Sequence, residues 1–114
     1  MIYLACPYSH PDREVRIYRF NAVNRVAAHL MSNGEIVFSP ISHTHPIAEA
    51  GELPLGWDYW ERFDRTFLQM SQRFIILTLD EWQESKGVAA EIKIARELGL
   101  KVEYMHDELP RISL

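Results

Sequence analysis

The chain lacks the features of several protein classes. It contains one cysteine, Cys6, so no disulfide can form within it. Its longest apolar stretches, such as residues 74–79, fall far short of the roughly 20 residues that a membrane helix requires. Lys and Arg are spread along the sequence, and the formal net charge of -4 disfavours duplex nucleic acid as a partner. Because no charged and apolar leader precedes the strand-like run from Ile2, we expect a cytoplasmic protein without a membrane segment.

Length and composition fit one folded domain. The chain has 114 residues, of which 47% are hydrophobic and 25% charged, as in ordinary globular proteins. A second folded domain has no room. We therefore interpret residues 1–114 as a single domain.

Short apolar runs alternate with segments of helical spacing. The runs predict buried strands at residues 2–6, 35–39, 74–79 and 101–105, the last of which precedes a polar tail. Apolar residues at three- and four-residue intervals predict one helix that follows a capping-box spacing at residues 9–12 and ends at Asn33-Gly34. Two further helices are predicted at residues 55–71 and 85–98. Residues 40–54 contain three prolines and no sustained period, which predicts a long loop.

The order of these elements predicts an α/β fold. Strands that alternate with helices form right-handed crossovers, which gives a parallel sheet with helices on both faces, a three-layer sandwich. Ligands of such sheets bind beyond the carboxyl ends of the strands, where the strand order reverses. Residues 6–12, 39–45, 80–87 and the end of the fourth strand are expected to converge there.

The sharpest local pattern runs from Ser85 to Glu91. Ser85 can cap a helix, Gly87 leaves room for a ligand near the backbone, and the first amides of the helix suit an anion. Glu91 shares a helical face with Val88 and Ile94, so a carboxylate interrupts an apolar stripe and leans towards the crevice. The same pattern is compatible with an ordinary helix start and a Glu91 that is solvated at the edge of the stripe.

Asp64 interrupts a second apolar stripe, which Trp60 helps to form in the preceding helix. Two carboxyls in apolar surroundings could divide the roles of acid and nucleophile, one protonated and the other ionised. The alternative is a structural salt bridge from Asp64 to a residue such as Arg65 or Arg73. Asp58 is a second candidate for the acidic role.

Other polar residues flank the predicted crevice. Tyr3 and Tyr8 could direct hydroxyls at a carboxylate or a ligand, although Tyr3 also suits the core. His43 and His45 form a His-x-His pair, but no further ligand at metal-binding spacing accompanies them. Cys6 has no adjacent base in the sequence, which favours a small buried residue over a nucleophile.

Three stretches resemble the nucleoside 2-deoxyribosyltransferase superfamily. They are Asp64 in the second helix, the run Ile2-Tyr3-Leu4-Ala5-Cys6-Pro7, and Ser85-x-Gly87-x-x-x-Glu91. Within that superfamily, Phe38-Ser39-Pro40-Ile41 and residues 82–91 are most similar to the small proteins of the DUF1937 branch. The resemblance covers nearly the whole chain. It implies a flavodoxin- or Rossmann-like sandwich with a parallel sheet of four or five strands.

The resemblance also implies an N-glycosidase or 2-deoxyribosyltransferase that acts on a (deoxy)nucleoside 5′-monophosphate. Glu91 would attack C1′, Asp64 would protonate or hydrogen-bond the departing base, and Tyr3 would orient Glu91. Ser85 stands where nucleotide hydrolases of the superfamily carry a serine near the 5′-phosphate. The implied substrate-binding residues are Cys6, Pro7, Tyr8, Ser39, His43, Ser85 and Gly87.

Carboxylates, hydroxyls and backbone amides suffice for this chemistry, so no metal or organic cofactor is implied. The implied partners are a small-molecule nucleoside or nucleotide and further copies of the chain, because superfamily members are commonly homo-oligomers whose neighbouring subunit completes the site. Two departures keep a second hypothesis open. The superfamily often has glycine in place of Cys6 and a small residue in place of Ile92, which is compatible with a non-catalytic nucleotide-binding sensor or accessory protein.

Overall fold

The apolar runs of the sequence form the strands of a parallel sheet in the computed structural model, which describes residues 1–107. The strands are β1 (Ile2–Ala5), β2 (Val37–Phe38), β3 (Arg73–Leu77) and β4 (Val102–Met105). The helices are α1 (Arg13–Ser32), α2 (Pro40–Gly51), α3 (Trp57–Gln69) and α4 (Lys86–Glu97), and a 3-10 turn (Trp82–Glu84) precedes α4. The α/β prediction is confirmed, and residues 108–114 of the predicted polar tail lie outside the described residues. No helix in this part of the chain has both the length and the apolarity needed to cross a bilayer.

The four strands lie in the order β2-β1-β3-β4 and all pairs are parallel. Tyr3 in β1 stands opposite Phe38 on one side and Phe74 on the other. The chain passes from β1 outward to β2 and then returns across β1 to β3. The strand order therefore reverses between β1 and β3, and a ligand site is expected beyond their carboxyl ends.

Successive residues of β1 face two different helical layers. Ile2 and Leu4 belong to the core under α1, whereas Tyr3 and Ala5 belong to the core under α3 and α4. None of these four side chains is more than 2% exposed. The unbroken apolar run is thus a strand buried on both faces, as predicted, and the three layers of the sandwich are present.

Residues 40–51 form a helix, so the prediction of a loop there is wrong. Ser39 is the N-cap, and its Oγ accepts a hydrogen bond from the Ser42 amide at 3.2 Å. Pro40 occupies the first helical position, where its missing N–H would have had no partner. Pro46 lies inside the helix, and Glu52 ends it with φ of 53°. The internal proline is the reason that the segment reads as a loop.

The start of α1 also differs from the prediction. Its N-cap is Asp12, which accepts from the Glu14 amide at 2.9 Å, and not Ser9. The Ser9 hydroxyl instead donates to the carbonyl of Leu55 at 2.8 Å. The end of α1 agrees with the prediction, because Gly34 follows with φ of 89°, a conformation that glycine adopts without strain.

Candidate active site

A cavity of about 390 Å³ lies beyond the carboxyl end of β1. Residues of α2 form one wall, and residues of α3 and the start of α4 form the other. The volume falls within the range of small-molecule sites. Three of the four segments expected to converge here contribute to the lining, whereas no described residue of β4 does. The lining residues include Cys6, Tyr8, Thr44, His45, Trp57, Asp64, Ser85, Lys86, Gly87 and Glu91.

The start of α4 contributes backbone amides to the cavity. Ser85 caps the helix as predicted, with its Oγ accepting from the Val88 amide at 3.2 Å. The amides of Lys86 and Gly87 belong to the first turn, where no intrahelical acceptor exists. Both residues line the cavity, so this helix end can bind an anionic group.

Glu91 is buried in the second turn of α4. Its residue exposure is 5%, and the hydroxyl of Tyr3 donates a hydrogen bond to its Oε2. Val88 and Ile94 share its face and are buried too. A solvated Glu91 at the edge of the stripe is therefore excluded. Tyr3 itself is fully buried under the cavity floor, in the core of β1.

Asp64 lies on α3 and faces the same cavity. It is 7% exposed, and its Oδ1 has no hydrogen-bond partner among the described residues. The predicted salt bridge from Asp64 to Arg65 or Arg73 is wrong, because Arg65 pairs with Glu61 at 3.4 Å and Arg73 pairs with Glu103 at 2.9 Å. A buried oxygen without a partner commonly marks a place where a ligand or water binds.

The two carboxyls are harder to ionise than carboxyls in water. Burial raises the pKa of Asp64 to about 7. Burial and the nearby Asp64 raise the pKa of Glu91 to about 8, against the hydrogen bond from Tyr3, which lowers it. Interacting carboxyls titrate as a pair, so between about pH 7 and about pH 8 the two residues share one proton and one negative charge.

Tyr8, His45 and Thr44 supply polar groups from the opposite wall. Tyr8 and His45 are joined by a hydrogen bond between the hydroxyl and Nδ1. Thr44 is 8% exposed and its Oγ1 has no partner within residues 1–107. Sequence analysis did not identify Thr44. The signal was present, because Ser39-Pro40 is a helix start that places Ile41, Thr44 and Ala48 on one face.

Three of the predicted binding residues lie away from the cavity. Pro7 is fully buried and does not line it, and Ser39 caps α2. His43 is exposed and stacks on Phe63, with ring centroids 5.4 Å apart. The remaining predicted residues, Cys6, Tyr8, Ser85 and Gly87, do line it.

The His-x-His pair does not converge on one point. Residues two apart on a helix face different directions, so His43 packs on α3 while His45 points into the cavity. Within residues 1–107 no group of three or more His, Cys, Asp or Glu side chains is placed to hold a metal ion. Cys6 is 3% exposed, and burial raises the pKa of its thiol far above the usual range, so it is no thiolate nucleophile.

Arg19 holds the loops that form the cavity rim. Its guanidinium is buried and donates to the carbonyls of Tyr8 at 3.3 Å and Ser9 at 3.1 Å. It also reaches the Asp80 carbonyl at 3.5 Å and pairs with Glu81 at 3.9 Å. One side chain of α1 thus ties the loop after β1 to the loop after β3.

Comparison with known proteins identifies a family for the chain. The family model DUF1937, described as a domain of unknown function, matches residues 1–107. No curated protein matches the sequence. Because the model covers nearly the entire chain, the protein belongs to the DUF1937 family.

Proposed function

We propose that the protein is an N-glycosidase or 2-deoxyribosyltransferase that acts on a (deoxy)nucleoside 5′-monophosphate. The proposal includes a relation to the nucleoside 2-deoxyribosyltransferases, which the motifs around Tyr3, Asp64 and Glu91 resemble. The observation that carries it is the buried carboxyl pair, in which only Glu91 receives the hydrogen bond of Tyr3.

This asymmetry assigns the two roles. Without a ligand, Glu91 has the higher pKa of the two, about 8 against about 7, so the proton of the pair rests on Glu91. In the reacting state we place the charge on Glu91 and the proton on Asp64, because the hydrogen bond that Tyr3 donates favours the ionised form of Glu91. Asp64 has an Oδ1 without a partner in the described chain, so it is free to hold the proton and to present it to a ligand. A nucleophile and an acid then face the same cavity.

The reaction proceeds by double displacement. A carboxylate oxygen of Glu91 attacks C1′ while the N-glycosidic bond breaks, and the bonding electron pair leaves with the base, which takes a proton from Asp64. The resulting glycosyl ester is then attacked at C1′ by water or by a second base. The C1′–O bond to Glu91 breaks, its electron pair returns to the carboxylate, and Asp64 takes up the proton of the attacking group.

The start of α4 supplies the site for the 5′-phosphate. The first-turn amides of Lys86 and Gly87 and the positive end of the helix dipole face the cavity a little over one turn before Glu91. The Lys86 side chain adds a positive charge at this place. A phosphate bound here would leave the sugar near Glu91.

The test is release of free base from a panel of deoxynucleosides and their 5′-monophosphates, followed by chromatography. We expect the monophosphates to be cleaved faster than the nucleosides, and Glu91→Gln to lower turnover at least about 1000-fold. Glu97→Gln is the matched control, because Glu97 is exposed near the end of the same helix. If Glu91→Gln cleaves as fast as the parent, the nucleophile is wrongly assigned.

A second outcome would favour the non-catalytic alternative. Cys6 lines the cavity where the resembling superfamily often has glycine, so the ligand could be held too far from Glu91 to react. Thermal stabilisation by a nucleotide without base release from any panel member would identify a binding protein.

Two further parts of the proposal concern the state of the protein. We propose a homo-oligomer in the cytoplasm, in keeping with the single reduced cysteine. Tyr59 on α3 and Ile47 on α2 are each about half exposed and suit a contact between subunits. Sedimentation analysis of the parent and of Tyr59→Ser would test the assembly.

A further inference from the structure

A chain of polar side-chain contacts leads from the cavity to the surface on the side opposite Glu91. The hydroxyl of Tyr8 bonds with Nδ1 of His45, and Nε2 of His45 lies 3.1 Å from Oε1 of Glu49. The same oxygen of Glu49 lies 3.0 Å from Nη2 of Arg13. His45 is buried, whereas Glu49 and Arg13 face solvent.

These contacts determine which nitrogen of His45 carries a proton. The negative charge of Glu49 at 3.1 Å favours a proton on Nε2 of His45, because an Nε2 lone pair would be repelled by the carboxylate oxygen there. Burial lowers the pKa of His45; Glu49 opposes this effect, and Arg13 and Arg16 add to it, so the ring is neutral at neutral pH. In a neutral ring with a proton on Nε2, Nδ1 is an acceptor, and the Tyr8 hydroxyl must be the donor.

The Tyr8 oxygen therefore has lone pairs and no proton for a ligand. A phenol has one proton, and His45 takes it. Burial raises the pKa of Tyr8, and the Arg16 side chain, which also acts on this oxygen as a hydrogen-bonding cation, lowers it by a smaller amount. Thr44 precedes His45 on the same wall, and its buried Oγ1 lacks a partner among residues 1–107. A polar surface of this kind, more than nine-tenths buried at Thr44, is incomplete without a bound group.

We propose that Tyr8, backed by His45 and Glu49, is an acceptor subsite that binds an N–H or O–H donor of the ligand, with Thr44 beside it. The inference rests on the proposed function only in taking the ligand to be a nucleoside or nucleotide. Such a ligand has two suitable donors, an amino group of the base and the 3′-hydroxyl of the sugar. Phosphate and carbonyl oxygens would face a lone pair here, which directs the phosphate to the α4 side of the cavity.

The test measures binding by calorimetry to Glu91→Gln protein, in which turnover is blocked. The ligands are deoxyadenosine 5′-monophosphate, its analogue without the 6-amino group, and its 3′-deoxy analogue. We expect Tyr8→Phe to weaken binding of deoxyadenosine 5′-monophosphate about five- to tenfold, as for the loss of one neutral hydrogen bond. The affinity for the analogue that lacks the bound donor should stay unchanged. The unaffected analogue identifies the base or the sugar as the source of that donor. Tyr18→Phe, a half-exposed tyrosine of α1, is the matched control.

A second variant keeps the Tyr8 hydroxyl in place. In His45→Leu the Tyr8 hydroxyl no longer donates to a histidine and can turn its proton towards the ligand. The ratio of the affinities for the donor-bearing ligand and its analogue should therefore fall towards one. Equal weakening of all three ligands by Tyr8→Phe, or no weakening, would overturn the inference. Absence of binding by every ligand would overturn it as well, whereas base release by the parent protein tests the proposed function separately.

Discussion

The hydroxyl of Tyr3 donates a hydrogen bond to Oε2 of Glu91, which joins the central strand to the last helix across 88 positions of the sequence. Both residues are buried, and Asp64 on the neighbouring helix raises the pKa of the same Glu91 carboxyl. Tyr3 therefore controls the charge of Glu91 from beneath the cavity, and it acts as a positioning residue that does not line the cavity itself.

Replacing Tyr3 with Phe should alter the pH dependence of base release. The Phe ring keeps the packing against Phe74 and Phe38, whose centroids lie 5.8 and 5.9 Å from that of Tyr3. Loss of the donor disfavours ionised Glu91, so the acid limb of kcat/KM should move to higher pH by about one unit and the value at pH 7 should fall about tenfold. If the role of Tyr3 were purely structural, Tyr3→Phe would lower Tm and would not shift the acid limb of kcat/KM.

Glu91→Gln should stabilise the fold at alkaline pH. The Glu91 carboxyl has an ordinary pKa of 4.5 and a pKa of about 8 when folded, so folding takes up a proton between these values. Stability conferred by the protonated group is complete below pH 4.5 and is lost as the pH rises towards 8. Gln cannot ionise and avoids this loss, which we expect to be on the order of 2 kcal/mol or more at pH 8.5.

Urea unfolding of parent and variant at pH 4.5 and pH 8.5 measures this difference. The exposed Glu97→Gln should change stability by less than about 0.5 kcal/mol at either pH. Equal pH dependence in the parent and Glu91→Gln would mean that the buried carboxyl is already ionised in the folded protein.

Gly87→Ala separates ligand binding from folding. An added Cβ would lie 3.8 Å from the Trp57 ring and 3.9 Å from the Ser85 Oγ, both ordinary contacts, so Tm should change by only a few degrees. The new methyl group would occupy the space above the first-turn amides. We expect KM for a monophosphate to rise about tenfold or more, and KM for the nucleoside to change much less. An equal rise in KM for the two substrates would show that the phosphate does not bind at this helix start.

Arg19→Met should destabilise the protein by about 1.5–3 kcal/mol, because the carbonyls of Tyr8 and Ser9 lose a charged donor. Arg73→Met is the comparison, because Arg73 pairs with Glu103 and Glu35 near the surface. This substitution should lower the free energy of unfolding by less than about 1 kcal/mol. Urea unfolding of both variants checks the difference. A loss at Arg19 no larger than that at Arg73 would show that the buried guanidinium does not hold the rim.

The carboxyls of the site could be predicted from the sequence because helical periodicity assigns a face. Glu91 and Asp64 each stand three or four residues from apolar neighbours, and that spacing alone places them towards the sheet. The hydrogen bond of Tyr3 is different. It depends on which strand lies under α4, and the strand order follows from tertiary pairing that no local pattern contains.

The cavity wall formed by α2 could not be predicted from the sequence. The wrong prediction for His43 has the same cause. With residues 40–54 interpreted as a loop, His43 was predicted to bind the substrate and His45 was not. The helix turns them to opposite sides, so that His43 packs on Phe63 and His45 bonds with Tyr8. Pro46 conceals this helix, because an internal proline normally argues against one.

The central position of β1 has a consequence for synthesis of the chain. β1 is made first, yet its partner β3 begins at Arg73, and the register joins Ile2 to Arg73. Until then the nascent protein can pair β1 only with the two residues of β2, at one edge. A buried strand thus stays half-paired while the residues between it and β3 are translated, the period in which chaperone binding or aggregation competes with folding.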